Sequence, residues 1–208
     1  MTDERIRVVE QGYDVLADRF LEWSQSVKGD PRPRLVERFM AGLPDGAAVV
    51  DLGCGAGVPT TARLAERFAV TGVDISAEQL VRARRLVPGA RFVHADMTAY
   101  DPGEASVDGV VACYSLTHLP AGHQPAMLER IASWLRPGGA VIASLGTGGG
   151  DWSGEWLGVP MFFSSIEPAD ARRALTTAGL AIEADETVTI QEPEGDATFL
   201  WLLARAGR

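Results

Sequence analysis

The stretch Val49-Val50-Asp51-Leu52-Gly53-Cys54-Gly55-Ala56-Gly57 constrains this chain more than any other. It reads as a strand that runs into a glycine turn and then a helix. Glycines there let the backbone approach a ligand closely, and the helix N-terminus behind them favours an anionic group. From Ala47 onward, short β-rich runs alternate with amphipathic helical ones, with strands expected at 47–52, 69–73, 90–94, 107–113 and 140–145. Near-continuous apolar strands separated by helices predict an α/β fold whose mostly parallel sheet is covered on both faces.

The flanks read differently. Ile6, Val9, Tyr13, Leu16, Phe20, Trp23 and Val27 recur at steps of three and four, one apolar helical face interrupted only by Gly12. Lys28-Gly29-Asp30-Pro31 breaks it, and a second short helix is expected from about Pro33 to Ala41, so the two make an N-terminal helical cap. Ser76 and Gln79 form a capping box that starts the helix after the second strand. A helix from about Pro168 stops at Gly179, and strands near 180–190 and 197–205 flank Glu192-Pro193-Glu194-Gly195. So short a turn predicts a C-terminal antiparallel hairpin at the sheet edge. The Gly-rich stretch 146–150 reads as a loop. The expected organisation is one domain over 1–208: a helical cap (1–46), a ligand-binding core (47–145), and a loop, helix and terminal hairpin (146–208).

Net charge is −9, from 28 acidic and 19 basic residues. An acidic chain without a basic stripe repels a phosphate backbone, which excludes nucleic acid as the expected partner. Arg82, Arg84 and Arg85 read as a solvated helix face. No apolar run is long enough to span a membrane, and MTDERIRVVEQ lacks the apolar core of a secretory signal, so the expected address is cytoplasmic. Cys54 and Cys113 read as small buried thiols, and no carboxylate–histidine cluster has metal-ligand spacing, so no metal is expected. Oligomeric state has no sequence signal.

Asp74 follows the second strand, where a carboxylate can accept hydrogen bonds from both hydroxyls of an adenosine ribose. After the third strand, Asp96-Met97 can bracket an adenine, the carboxylate accepting from the exocyclic amine while the thioether packs on the ring. An NAD-dependent oxidoreductase could share the glycine turn and the acidic residue. Its fingerprint, however, is G-x-G-x-x-G, whereas glycines here stand at 53, 55 and 57.

Over about residues 47–145 the chain resembles the class I S-adenosylmethionine-dependent methyltransferases, through DLGCGAG, VDIS, HADM, ACYSLTHL and WLRPGGAVI in that family's order. The resemblance implies a Rossmann-like three-layer sandwich with a mostly parallel seven-stranded sheet, its last strand reversed. It also implies S-adenosylmethionine as cofactor and S-adenosylhomocysteine as product. By it, Asp51, Gly53, Gly55 and Gly57 lie beside the methionine part, Asp74 binds the ribose, and Ile75 packs on the adenine. Asp96 and Met97 reach the adenine edge, and Tyr114 and Ser115 flank the sulfonium. Tyr13, on the N-terminal helix, joins the cofactor set by closing the pocket from above.

His118 leaves the fourth strand in Ser115-Leu116-Thr117-His118-Leu119-Pro120 and is the candidate general base, with a positioning role as its rival. His94 is expected along a buried strand. Segment 146–165 joins glycine mobility to Trp152, Trp156, Met161, Phe162 and Phe163, a pocket wall or lid for the acceptor, with core packing the alternative for the two phenylalanines. Glu192 or Glu194 could contact a polar or cationic acceptor. The expected function is methyl transfer to a small molecule, oxygen favoured over nitrogen or carbon, with a natural-product intermediate as one type of acceptor. Rival expectations are a cofactor-dependent cyclisation or rearrangement without methyl transfer, the oxidoreductase, and a regulatory binding module.

Overall fold

The computed structural model describes residues 4–207. The apolar stripe of the N-terminus forms α1 (Glu4–Ser26), and α2 (Arg32–Ala41) comes next with Pro33 in its first turn. Then come β1 (Ala48–Leu52), α3 (Thr60–Ala65), β2 (Ala69–Asp74), α4 (Ala77–Leu86), β3 (Arg91–His94) and β4 (Val107–Ala112). The second half contributes α5 (Gln124–Trp134), β5 (Leu135–Gly146), β6 (Gly150–Trp156), β7 (Val159–Ser165), α6 (Pro168–Thr177), β8 (Leu180–Glu192) and β9 (Gly195–Ala206). Ser76 caps α4 by accepting from the Gln79 N–H at 3.1 Å, but the capping box is only half formed, because the Gln79 amide makes no return bond.

Among the described residues, one sheet carries all nine strands. Strands β3, β2, β1, β4 and β5 are parallel neighbours in that order, and β9 enters antiparallel between β5 and β8. These are the seven expected strands, with the reversed last one. The other two, β6 and β7, come from the segment read as a loop. They pair antiparallel around Leu157 and Gly158, both at positive φ (51° and 78°), and β7 joins the sheet only through Ser165 beside Gly146 at the tip of β5. The physical reason lies in the turn and its flanks. Two residues in left-handed conformation make a tight hairpin turn, and the flanking aromatic and branched residues suit strands.

Strand alternation divides the core. Val49, Val111, Ile142, Trp201 and Leu203 bury against Leu35, Phe39 and Met40 of α2 and Leu64 of α3. Their neighbours Val50, Val110, Val141, Leu200 and Leu202 face Leu128, Ile131 and Trp134 of α5 and Leu175 of α6. A third cluster joins Val9 and Leu16 of α1 to Val159, Met161 and Phe162 of β7. Gly12 makes that third contact possible: a Cβ there would stand 2.7 Å from Met161 Cε and 3.0 Å from the Pro160 carbonyl. α1 is therefore laid across the carboxyl ends of the strands. It is held to α4 by Ser76 Oγ donating to Asp14 (2.6 Å) and to β6 by Arg5–Asp151 (2.7 Å). At the far end, Trp23 Nε1 donates to Glu194 at 2.8 Å, and Lys28 forms a backbone bridge with Gln191.

Candidate functional site

The glycine turn leaves β1 under tight constraint. Gly53 has φ +70°, its N–H bonds the Val73 carbonyl at 2.8 Å, and a Cβ on it would stand 2.3 Å from Ser115 Cβ. Only glycine lets this turn pass the loop after β4. Two residues on, the Gly55 amide fixes the neighbouring carboxylate: Asp74 Oδ2 accepts from the Gly55 N–H (2.7 Å) and Oδ1 from the Ser76 N–H (2.9 Å). Burial pushes the Asp74 pKa up, and those two N–H groups oppose the shift. Each oxygen keeps a lone pair for a further donor.

A cavity of about 740 Å³ opens at this edge of the sheet. Of the residues expected at the cofactor, Gly53, Gly55, Asp74, Ile75, Asp96, Met97, Tyr114 and Ser115 line it. Asp51 and Gly57 do not. Asp51 lies buried beneath the turn, accepting from Thr61 Oγ1 at 2.6 Å, and burial pushes its pKa up to about 6. Gly57 packs against Val87 and Ala83 behind the turn. Asp96 also holds its own loop, accepting from the Thr98 N–H (2.8 Å) and hydroxyl (2.7 Å). Cys54 and Cys113 are half-buried on the cavity wall, not sealed in the core, because each follows a strand end. His94 is exposed, since β3 is the sheet edge, and bonds the Ile75 carbonyl at 2.8 Å.

Two lining residues were not legible as site residues. Arg32 pairs with Asp30 at 2.9 Å, and its guanidinium sits 5.4 Å from the Tyr114 ring centre, yet its Nε is buried without a hydrogen-bond partner. Gln79 is buried with both amide atoms unpartnered. Ser115 Oγ is unpartnered too. Gln79 had a sequence signal as the capping-box residue, but Arg32 had none beyond its place before the second helix. Tyr114 holds a left-handed φ of 59°, with its N–H on Ser144 Oγ (2.6 Å) and its hydroxyl on Asp30 (2.8 Å).

Tyr13 and His118 form a pair on the same cavity. His118 Nδ1 lies 2.9 Å from the Phe162 carbonyl, which can only accept, so Nδ1 carries the proton. Nε2 then accepts from the Tyr13 hydroxyl at 2.9 Å. Burial holds the His118 pKa down at about 4, so the imidazole is neutral at pH 7. Burial, with the charges of Asp74 and Glu192, pushes the Tyr13 pKa up. Both His118 ring nitrogens are thus engaged within the protein, which weakens its case as a free base.

Trp152, Trp156 and Glu192 line the cavity, with Phe163, Phe20 and Trp23 beside them. Met161 and Phe162 do not line it, which corrects their expected place in the acceptor wall. Met161 is buried under Gly12, and Phe162 is buried against α1 with Arg5 5.5 Å from its ring centre. The docking of α1 on β7 takes these two side chains as core. Among the described residues no group of three or more His, Cys, Asp or Glu side chains could hold a metal ion, and no helix is long and apolar enough to cross a membrane.

Residues 49–139 match the family model of a methyltransferase domain. The trans-aconitate 2-methyltransferases of Azoarcus sp. (strain BH72) and Paracidovorax citrulli are 40% and 38% identical over 121 residues, 56% of this chain and 46% of each relative. The chain thus spans about half the length of the curated relatives it matches. Among solved structures, the DhpI–SAH complex is 25% identical with a TM-score of 0.75, each chain 99% covered. The 1,6-didemethyltoxoflavin-N1-methyltransferase of Burkholderia thailandensis is 23% identical (TM-score 0.67, 96% of this chain and 91% of that one). The [4+2]-cyclase SpnF is 17% identical (TM-score 0.67, 95% of each chain). The last two share the fold alone. Residues 49–139 thus carry a methyltransferase domain, and in its sheet order the chain as a whole is similar to the class I S-adenosylmethionine-dependent methyltransferases.

Proposed function

We propose that this chain transfers a methyl group from S-adenosylmethionine to a small molecule. One observation carries the proposal: Arg32 Nε, both amide atoms of Gln79 and Ser115 Oγ are buried without partners, and all belong to residues on one cavity beside Asp74 and Asp96. An unsatisfied buried polar group costs about 1–3 kcal/mol, so a polar ligand toward which these side chains turn is favoured. The donor set suits the cofactor. Asp74 has lone pairs left for two ribose hydroxyls, Asp96 for the adenine amine, and Ile75 and Met97 offer apolar contact to the base. Gly53 and Gly55 present backbone to the methionine part, and Arg32 suits its carboxylate. Tyr114 and Ser115 flank the reacting end.

When bound, the cofactor supplies an electrophilic methyl on a sulfonium. The protein's part is mainly to align an acceptor with that methyl, which can account for most of the acceleration. Oxygen is favoured as the nucleophile, and an acceptor hydroxyl can donate to the Tyr13 oxygen. His118 acts through Tyr13, as a positioning residue, since an imidazole held at about 4 is a poor proton acceptor near neutrality.

A screen of small molecules scored by release of S-adenosylhomocysteine tests the proposal. Release that depends on an acceptor is expected. Conversion of an acceptor without release would instead indicate a rearrangement or cyclisation. With an acceptor in hand, His118→Gln should raise KM severalfold and leave kcat nearly intact. A loss of kcat by about two orders of magnitude or more, together with loss of the rising pH limb, would make His118 the base after all.

A further inference from the structure

One part of the cavity wall is a continuous run of rings from α1, β6 and β7. Phe20 and Trp23 stack at 5.7 Å with 21° between their planes. Trp156 meets Trp23 edge-on at 5.0 Å and Phe163 at 5.3 Å. Such a wall takes flat apolar molecules, and its ring faces also attract cations.

The charges on the cavity point the same way. Among the described residues Arg32 is the one Lys or Arg that lines it, and Asp30 already pairs with that guanidinium. Asp74 and Asp96 belong to the nucleoside end. Glu192 and Asp196 remain, on the β8–β9 hairpin, and neither carboxylate has an ion-pair partner among the described residues. Glu192 is half-buried, and Glu194 beside it is held by the Trp23 indole N–H. Burial and the Glu194 charge push the Glu192 pKa up to about 7, as expected of a carboxylate that faces another carboxylate and no cation. Recognition of a polycarboxylate, the kind of acceptor for which the curated relatives are named, calls for arginine or lysine at the acceptor. Here an approaching polyanion would meet Glu192 and Asp196 instead.

We propose that the acceptor is a cation: an aromatic or heteroaromatic molecule bearing an ammonium group, its ring on the Trp23–Trp156 wall and its ammonium paired with Glu192. The inference rests on the methyl-transfer proposal and names the acceptor class for that same site. It differs from a purely hydrophobic acceptor in requiring the charge.

The test is calorimetry on the intact chain, with and without saturating S-adenosylhomocysteine. Three probes are used: tryptamine, which carries an ammonium on an indole; indole-3-propionate, the same ring with a carboxylate; and trans-aconitate. Tryptamine should bind at least tenfold more tightly than indole-3-propionate, and trans-aconitate should not bind. Glu192→Gln should reduce the tryptamine preference to less than threefold, and Trp156→Ala should weaken both indoles together. Retained affinity for S-adenosylhomocysteine serves as the check that each variant is folded. Equal affinities for the two indoles, binding of neither, tighter binding of trans-aconitate, or a preference that survives Glu192→Gln would each overturn the inference. Failure to bind S-adenosylhomocysteine, with the tryptamine preference intact, would overturn the methyl-transfer proposal and leave the cation site standing.

Discussion

His118 shows how one residue's surroundings set its chemistry. Its folded pKa of about 4 lies below the ordinary 6.5, so as pH falls through that window the unfolded chain takes up a proton that the folded chain refuses. Stability from this residue is complete above about pH 6.5 and is lost toward pH 4, by up to about 3 kcal/mol. Asp51 has the opposite sign: held up at about 6, it binds its proton earlier in the folded state and adds stability as pH falls. The two oppose each other, so the informative quantity is the difference between wild type and His118→Gln in urea denaturation. Wild type should lose about 2–3 kcal/mol relative to the variant between pH 7.5 and 4.5, and a gap independent of pH would mean that His118 titrates normally. Asp74, Asp96 and Ser115 were legible in the sequence because the carboxyl ends of parallel strands are where this topology gathers its ligand contacts. Arg32 was not, since its notable property is a buried nitrogen without a partner, and that exists only once α2 is packed.

Among the elements, the seven core strands were legible because apolar, β-branched runs between helices admit one layered arrangement. The β6–β7 hairpin was not, because Gly148, Gly149 and Gly150 mark a loop and the aromatic residues behind them read equally as lid or core. Its place is set by α1, whose Gly12 lets Met161 approach. Gly12→Leu should therefore destabilise the protein by about 1–3 kcal/mol, against the gain in helix propensity that replacing glycine normally brings. Urea denaturation measures the loss, and hydrogen exchange should show faster opening of residues 150–165. Unchanged stability would mean that α1 does not dock on β7 as described. The same docking explains why Met161 and Phe162 lie in the core while Trp156 and Phe163 line the cavity.

At the scale of the whole molecule, an acidic chain folds a mixed sheet with a parallel core whose carboxyl edge gathers unpartnered polar atoms, then covers that edge with an N-terminal helix and a hairpin. Core strands and glycine turn line the end of the cavity around Asp74, where sequence motifs were most specific. The covering elements line the aromatic end, where composition alone could suggest ring contacts but not which side chains supply them. The central claim is that this cavity holds S-adenosylmethionine through Asp74. Calorimetric titration of the wild-type chain and of Asp74→Ala with S-adenosylhomocysteine tests it most directly. Wild type should bind one equivalent, and the variant, still folded, should bind at least tenfold more weakly, because hydrogen bonds to a charged group contribute about 1.5–3 kcal/mol. No binding by the wild type, or the same affinity in both, would contradict it.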